Sequence, residues 1–256
     1  MRAANAIAGT LYYYAPVALL ILCWDLGSRL GLLSADLLPS PEATLAAFRA
    51  VLDSGELAQQ ASVSLFRESM GFLASVVVGT VLGIAMARIE WARVLIRPVV
   101  TFFYPMPKTA LIPILLLWFG LGDMSKIAAI FLGCLLPVVI SSYNGARGVE
   151  PLLVWSARSL GAGKFGVLWK IILMAALPDI LSGVRMALAL SWLLLVSAEL
   201  LLAQKGLGFM IGYYGETGDY ATMFSAIIVV VLIGSISDRL FLALMGWSLR
   251  WRNLSA

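Results

Sequence analysis

Long apolar runs alternate along the chain with short stretches that hold most of the charged residues, and run length decides what they are. About 20 mostly apolar residues cross a hydrocarbon core roughly 30 Å thick. The pattern predicts six such runs, at about 11–26, 62–87, 94–119, 126–143, 179–203 and 220–237. The third holds Pro98, Pro105, Pro107 and Pro113 and is expected to be broken by them, since proline removes a helix donor. Between the first two runs, Pro41 opens a short amphipathic helix with Leu45, Phe48, Val51 and Leu52 on one face, expected to lie in the membrane interface. A short loop, 204–219, precedes the last run. The tail, 238–256, carries Arg250, Trp247, Trp251 and Arg252 and reads as a second interfacial helix. In the second run Gly79 and Gly83 stand four apart, which either lets another helix approach closely or only tolerates local packing.

Composition closes off the soluble alternatives. Hydrophobic residues are 61% of 256 positions and charged residues 12%, about half the usual charged share of a soluble domain, and mean hydropathy is +0.96. With no histidine, His-ligated metals and Ser-His-Asp triads are excluded. Cys23 and Cys134 fall inside apolar runs and read as packing residues. Arg2 followed by an apolar run resembles a signal peptide, but no A-x-A-like site closes the run, so it is taken as the first span. The net charge of +4 then bears on topology rather than on nucleic acid.

Lys and Arg sort unequally between the two sides. The N-terminus, the 2–3 and 4–5 connections and the tail hold eleven, including Arg88, Arg93, Arg97, Arg147, Arg158, Lys164 and Lys170. The other three connections hold four: Arg29, Arg49, Lys126 and Lys205. This asymmetry places both termini and the 4–5 connection in the cytoplasm.

That connection reads GVEPLLVWSARSLGAGKFGVLWKIILMAALP from Gly148 to Pro178. Pro151 suits a first helical turn and Gly161 a left-handed helix end. A second helix is expected over about 164–174, with Pro178 turning the chain into the fifth run. The resulting hairpin, about 150–174, carries Leu152, Leu153, Trp155, Leu160 and Phe165; it is either a docking element for another protein or a connector on the membrane surface. The string LGAGKFG is no nucleotide loop, because G-x4-G-K-[ST] requires Gly where Arg158 stands and Ser or Thr where Phe165 stands.

The same segment resembles the EAA loop of ABC-importer permeases, E-A-A-x3-G-x9-I-x-L-P. Aligned on Gly161, it supplies Ala157, Ile171 and Leu173 at the matching positions, with Ala162 beside the glycine. Trp155 stands for the glutamate, Ser156 for the first alanine and Met174 for the final proline. LLPSPEATLAAF (Leu37–Phe48), LFRESMGF (Leu65–Phe72), YPMPKTALIPILLLWFGLGD (Tyr104–Asp123), SGVRMALALSW (Ser182–Trp192) and AELLLAQKGLGFMI (Ala198–Ile211) are similar to the sulfonate, taurine and nitrate branch. The resemblance implies an all-α membrane protein of the type I ABC-importer permease arrangement, a single transmembrane permease domain over 1–256 with a cytoplasmic coupling helix. It implies two permease copies, a homodimer, around one pathway. A cytoplasmic ATPase dimer would bind the ATP and Mg, with no cofactor in this chain. An extracytoplasmic solute-binding protein would deliver a small anionic solute in the bacterial inner membrane. Trp155, Ser156, Ala157, Gly161, Ala162, Ile171 and Leu173 would form the coupling surface.

Ionisable residues within the spans are costly and should face protein or water. Arg67 with Glu199 reads as a structural ion pair or as a gate, and Lys108 as a pathway lining or a helix-end anchor. Arg185 is expected to snorkel to the cytoplasmic surface. Met106, Trp118 and Trp192 read as packing. An ion-driven secondary transporter using Glu199 or Arg67 is the other functional class, and a membrane enzyme a third with little chemistry to support it.

Overall fold

In the computed structural model, residues 2–30 and 38–251 are described, with the side chains of 2–14 and 202 excepted. Asp36 and Arg252 lie outside them. The described residues form helices joined by short turns, with no strand among them. In chain order the helices are α1 (Arg2–Arg29), α2 (Pro41–Asp53), α3 (Glu56–Arg88), α4 (Glu90–Phe103), a 3-10 turn (Lys108–Leu111), α5 (Ile112–Phe119), α6 (Asp123–Arg147) and α7 (Pro151–Ser159). There follow α8 (Lys164–Val167), a π turn (Leu168–Ile172), α9 (Leu173–Leu202), α10 (Leu207–Thr217) and α11 (Tyr220–Ser248).

The centre of the molecule is α3, α6 and α9. α3 runs parallel to α6, and small residues set how close they come. A Cβ at Gly79 would lie 2.8 Å from the Val138 Cβ, and one at Gly83 2.5 Å from the Val139 carbonyl oxygen. The close-approach reading of these glycines is therefore the one that holds. α9 packs antiparallel on α6, and the shared core contains Ile130, Cys134, Val138, Ala187, Leu188, Trp192, Leu194 and Leu195. Cys134 is buried there, its thiol donating to the Ala187 carbonyl at 3.2 Å, whereas Cys23 is exposed.

Four described helices are long and apolar enough to cross a membrane: Glu56–Arg88, Asp123–Arg147, Lys164–Leu201 and Tyr220–Ser248. A fifth crossing is the pair α4 and α5, bent by 97°. Since α3 and α6 run parallel, the segment between them has to return across the bundle, and the bent pair makes that return. Only the Pro105–Pro107 segment breaks it. Pro98 sits inside α4 and Pro113 in the first turn of α5, where no amide donor is missed. α1, Arg2–Arg29, contains the first predicted run.

Elsewhere the structure departs from the pattern. Pro178 does not turn the chain. The helix passes through it, and residues 164–201 form one rod about 57 Å long. The tail is not a separate helix up to Ser248, because α11 continues through Asp238, whose charge is met by Arg185. The loop 204–219 folds largely as α10. Finally α2, capped by Ser40 through a 3.1 Å bond from the Ala43 amide, turns Thr44, Phe48 and Val51 toward α10 and α11 rather than to lipid. The Ser225 hydroxyl donates to the Thr44 carbonyl at 2.9 Å. Leu45 and Leu52 remain outside.

Candidate functional site: an exposed hairpin and a far-end clamp

Functional side chains gather at the two ends of the bundle. At one end α6 delivers the chain into the hairpin. α7 ends at Gly161, whose φ of +84° is a left-handed conformation that costs glycine least. The Gly161 amide donates to the Arg158 carbonyl at 2.9 Å and the Ala162 amide to the Ala157 carbonyl at 3.0 Å, closing the helix. Val154 and Val167 are buried, and Ala157, Ala162, Leu168 and Leu173 pack on the main core. Ile171 is half-buried on the π turn and Ser156 is exposed.

The opposite face of the hairpin is apolar and open. Leu152, Trp155, Leu160 (88% exposed), Phe165 and Trp169 all point away from the core. Phe165 and Trp169 lie ring to ring at 6.2 Å. Arg158, Lys164 and Lys170 of the same segment are exposed as well. An apolar patch of this kind rimmed by charge marks an interaction site. The second hairpin strut is continuous with α9.

At the other end of that rod sits Glu199. Its side chain is 0% exposed and accepts from three groups: Ser64 Oγ at 2.8 Å, Arg67 Nη1 at 2.8 Å and the Gly208 amide at 2.9 Å, with Ser64 also lying 3.0 Å from the second carboxylate oxygen. Arg67 additionally meets Asp123 at 2.6 Å and the Lys205 carbonyl at 2.7 Å. Ser64 Oγ accepts the Leu207 amide at 2.8 Å, and Gln60 Oε1 accepts the Gly206 amide at 2.6 Å. The amides that open α10 are thus taken by side chains of α3 and α9 instead of water, as an unpaired helix start demands. Gly206, at φ +116°, has no room for a side chain; a Cβ there would lie 2.3 Å from Glu199 Oε1.

Tyr214 ties the far end of α10 to α3, its hydroxyl donating to Glu56 at 3.1 Å. Burial first, and the Glu56 carboxylate second, push its phenol above the ordinary range.

The structure thus brings Arg67 and Glu199 together, and adds Asp123, Ser64, Gln60 and Gly206, which sequence reasoning did not single out. The signal was present in KGLG (Lys205–Gly208), whose glycines are the ones pressed against Glu199. Lys108 stands apart. Its ammonium donates to the Phe103, Tyr104 and Met106 carbonyls at 2.9, 2.8 and 2.7 Å, the groups freed at the α4–α5 break. Lys126, counted among loop charges, is fully buried with its ammonium on the Leu121 carbonyl. Arg185 forms a two-pronged pair with Asp238, at 2.8 and 3.0 Å. Trp192 packs at the α9–α11 groove, and Trp118 is exposed.

Comparison with known proteins adds the following. Residues 79–245 match the family described as the binding-protein-dependent transport system inner membrane component. A putative aliphatic sulfonates transport permease protein, SsuC, of Bacillus subtilis is 35% identical over 92% of this chain and 86% of its own. The taurine transport system permease protein TauC of Escherichia coli is 35% identical over 87% and 82%. The bicarbonate transport system permease protein CmpB of Synechococcus elongatus is 30% identical over 79% and 73%. Among solved structures, the MetNI methionine ABC transporter in an inward-facing conformation superposes with a TM-score of 0.60 at 17% identity, covering 73% of this chain and 93% of that one. An amino acid ABC transporter gives 0.60 at 15% identity, over 79% and 96%. At such identities these two speak for the fold.

Proposed function

The chain belongs to the family of binding-protein-dependent transport system inner-membrane components and is an ABC-importer permease, and from that premise we propose which solute it conducts and how it is driven. The solute is a small oxyanion of the sulfonate, taurine or nitrate kind. Relatives named for sulfonates, taurine and bicarbonate share a compact anionic oxygen group, which supports this reading. Two copies enclose the pathway, a solute-binding protein feeds it, and a separate ATPase pair holds the ATP and Mg. This chain contributes no cofactor. The hairpin end faces the cytoplasm, in line with eleven basic residues against four.

One observation carries the mechanism: the hairpin and Glu199 stand on the same unbroken helix, residues 164–201. ATPase closure displaces the exposed Trp155–Phe165 patch. The rod transmits that displacement to its far end, where the Glu199 cluster holds α10 against α3. Trp155 in place of an acidic residue makes the contact with the ATPase mainly one of packing, since an aromatic ring buries a large apolar area.

The test is reconstitution of the permease with its ATPase and binding protein in proteoliposomes. Uptake of taurine or a short alkanesulfonate is expected to require internal ATP and the binding protein. Uptake driven by an ion gradient without ATP hydrolysis would overturn the coupling scheme. ATP-dependent uptake of a cation instead of these anions would overturn the solute class.

A further inference from the structure

α4 leaves the hairpin end of the bundle with Ala92 packed inward and most of its surface open. Two depressions flank it and share Glu90, Val94 and Pro98. The first, about 830 Å³, is lined by three guanidinium groups, Arg93, Arg97 and Arg147, against the one carboxylate of Glu90. Glu90 is already taken by Arg93. Arg147 is fixed in direction by Tyr143, donating to its hydroxyl at 2.6 Å and lying 5.7 Å from the ring centre. The second depression, about 860 Å³, is walled by Trp91 and Leu95, exposed by 70% and 68%. A cationic pocket and an apolar trough therefore adjoin along one helix of a membrane protein.

We propose that this ledge binds an anionic phospholipid, with its phosphodiester on Arg93, Arg97 and Arg147 and an acyl chain along Trp91 and Leu95. Charge complementarity and continuity select this occupant. A small soluble oxyanion fills only the basic half, and a zwitterionic lipid brings a quaternary ammonium into the guanidinium pocket. Basic pockets beside transmembrane helices bind anionic headgroups by the same physics, with guanidinium groups pairing to phosphate oxygens in forked fashion. Substrate choice and ATPase coupling play no part in this inference.

Native mass spectrometry of the permease–ATPase complex, delipidated and then titrated with defined lipids, tests it. Phosphatidylglycerol is expected to be retained at least tenfold better than phosphatidylcholine of the same chain length. Arg97→Gln and Arg147→Gln should each lower that retention by about fivefold, the effect of one basic residue at a charged surface. Arg97→Lys should keep most of it, which separates loss of charge from misfolding. Trp91→Ala with Leu95→Ala should weaken retention of long-chain phosphatidylglycerol while leaving the complex intact by size exclusion. Equal retention of the two lipids by the unmodified complex would overturn the proposal, as would preference unchanged in the double Arg97→Gln, Arg147→Gln variant. Displacement of the lipid by millimolar inorganic phosphate or methanesulfonate would also overturn it, assigning the pocket to a soluble anion.

Discussion

Glu199 shows how one residue can be readable in type and unreadable in role. A carboxylate in an apolar run had to find a cation, and Arg67 was the available one at the same depth. The sequence could not show that the pair also holds the start of α10, because Ser64, Gln60 and the Gly206–Gly208 amides converge only after folding. Removing the Glu199 charge leaves Arg67 with only the half-exposed Asp123 and the Lys205 carbonyl and weakens the buried bonds from Ser64 and Gly208, at a cost of about 1–3 kcal/mol. Glu199→Gln is therefore expected to lower the thermal unfolding midpoint in detergent by several degrees. Asp123→Asn, with a side chain 52% exposed, should cost at most about 1 kcal/mol. Equal midpoints for the two variants would show that Glu199 is no keystone.

Among the elements, the helix contact of α3 with α6 and the hairpin make opposite demands of glycine. In the first, Gly83 is needed for space. Gly83→Ala pushes a methyl against the Val139 carbonyl and the Ser142 Cβ, and overpacking of this kind costs about 1–3 kcal/mol. A reduced yield of folded protein by fluorescence-detected size exclusion is expected, and unchanged yield and midpoint would deny the close approach. In the hairpin, Gly161 has open space but a positive φ. Gly161→Val distorts the turn, since a β-branched residue is a poor fit to that conformation, and is expected to cut ATP-dependent uptake at least tenfold while the ATPase still turns over. Gly161→Asn should keep most uptake, because asparagine tolerates the left-handed region. Coupled uptake at normal rate in the valine variant would remove the hairpin from the drive train.

For the whole molecule the question is which way it faces and how its ends communicate. In a variant with Cys23→Ser and Cys134→Ala, a cysteine at Ser159 in the hairpin should react with a membrane-impermeant maleimide only after permeabilisation. One at Thr217, beyond the clamp, should react in intact cells. The reverse pattern would invert the topology. The sequence by itself determined the solvent the chain lives in, the number and rough limits of its apolar runs, the left-handed stop at Gly161 and the asymmetry of its basic residues. These are local or additive properties, and the chain carries them whatever its fold. Only the tertiary structure decided that Pro178 leaves its helix unbroken, that Asp238 lies within α11 opposite Arg185, and that α2 turns its apolar face to protein. Each of these depends on a partner distant in sequence that satisfies a charge or covers a face. Helix periodicity sets the length of α9, but only packing against α3, α6 and α10 decides what each end holds.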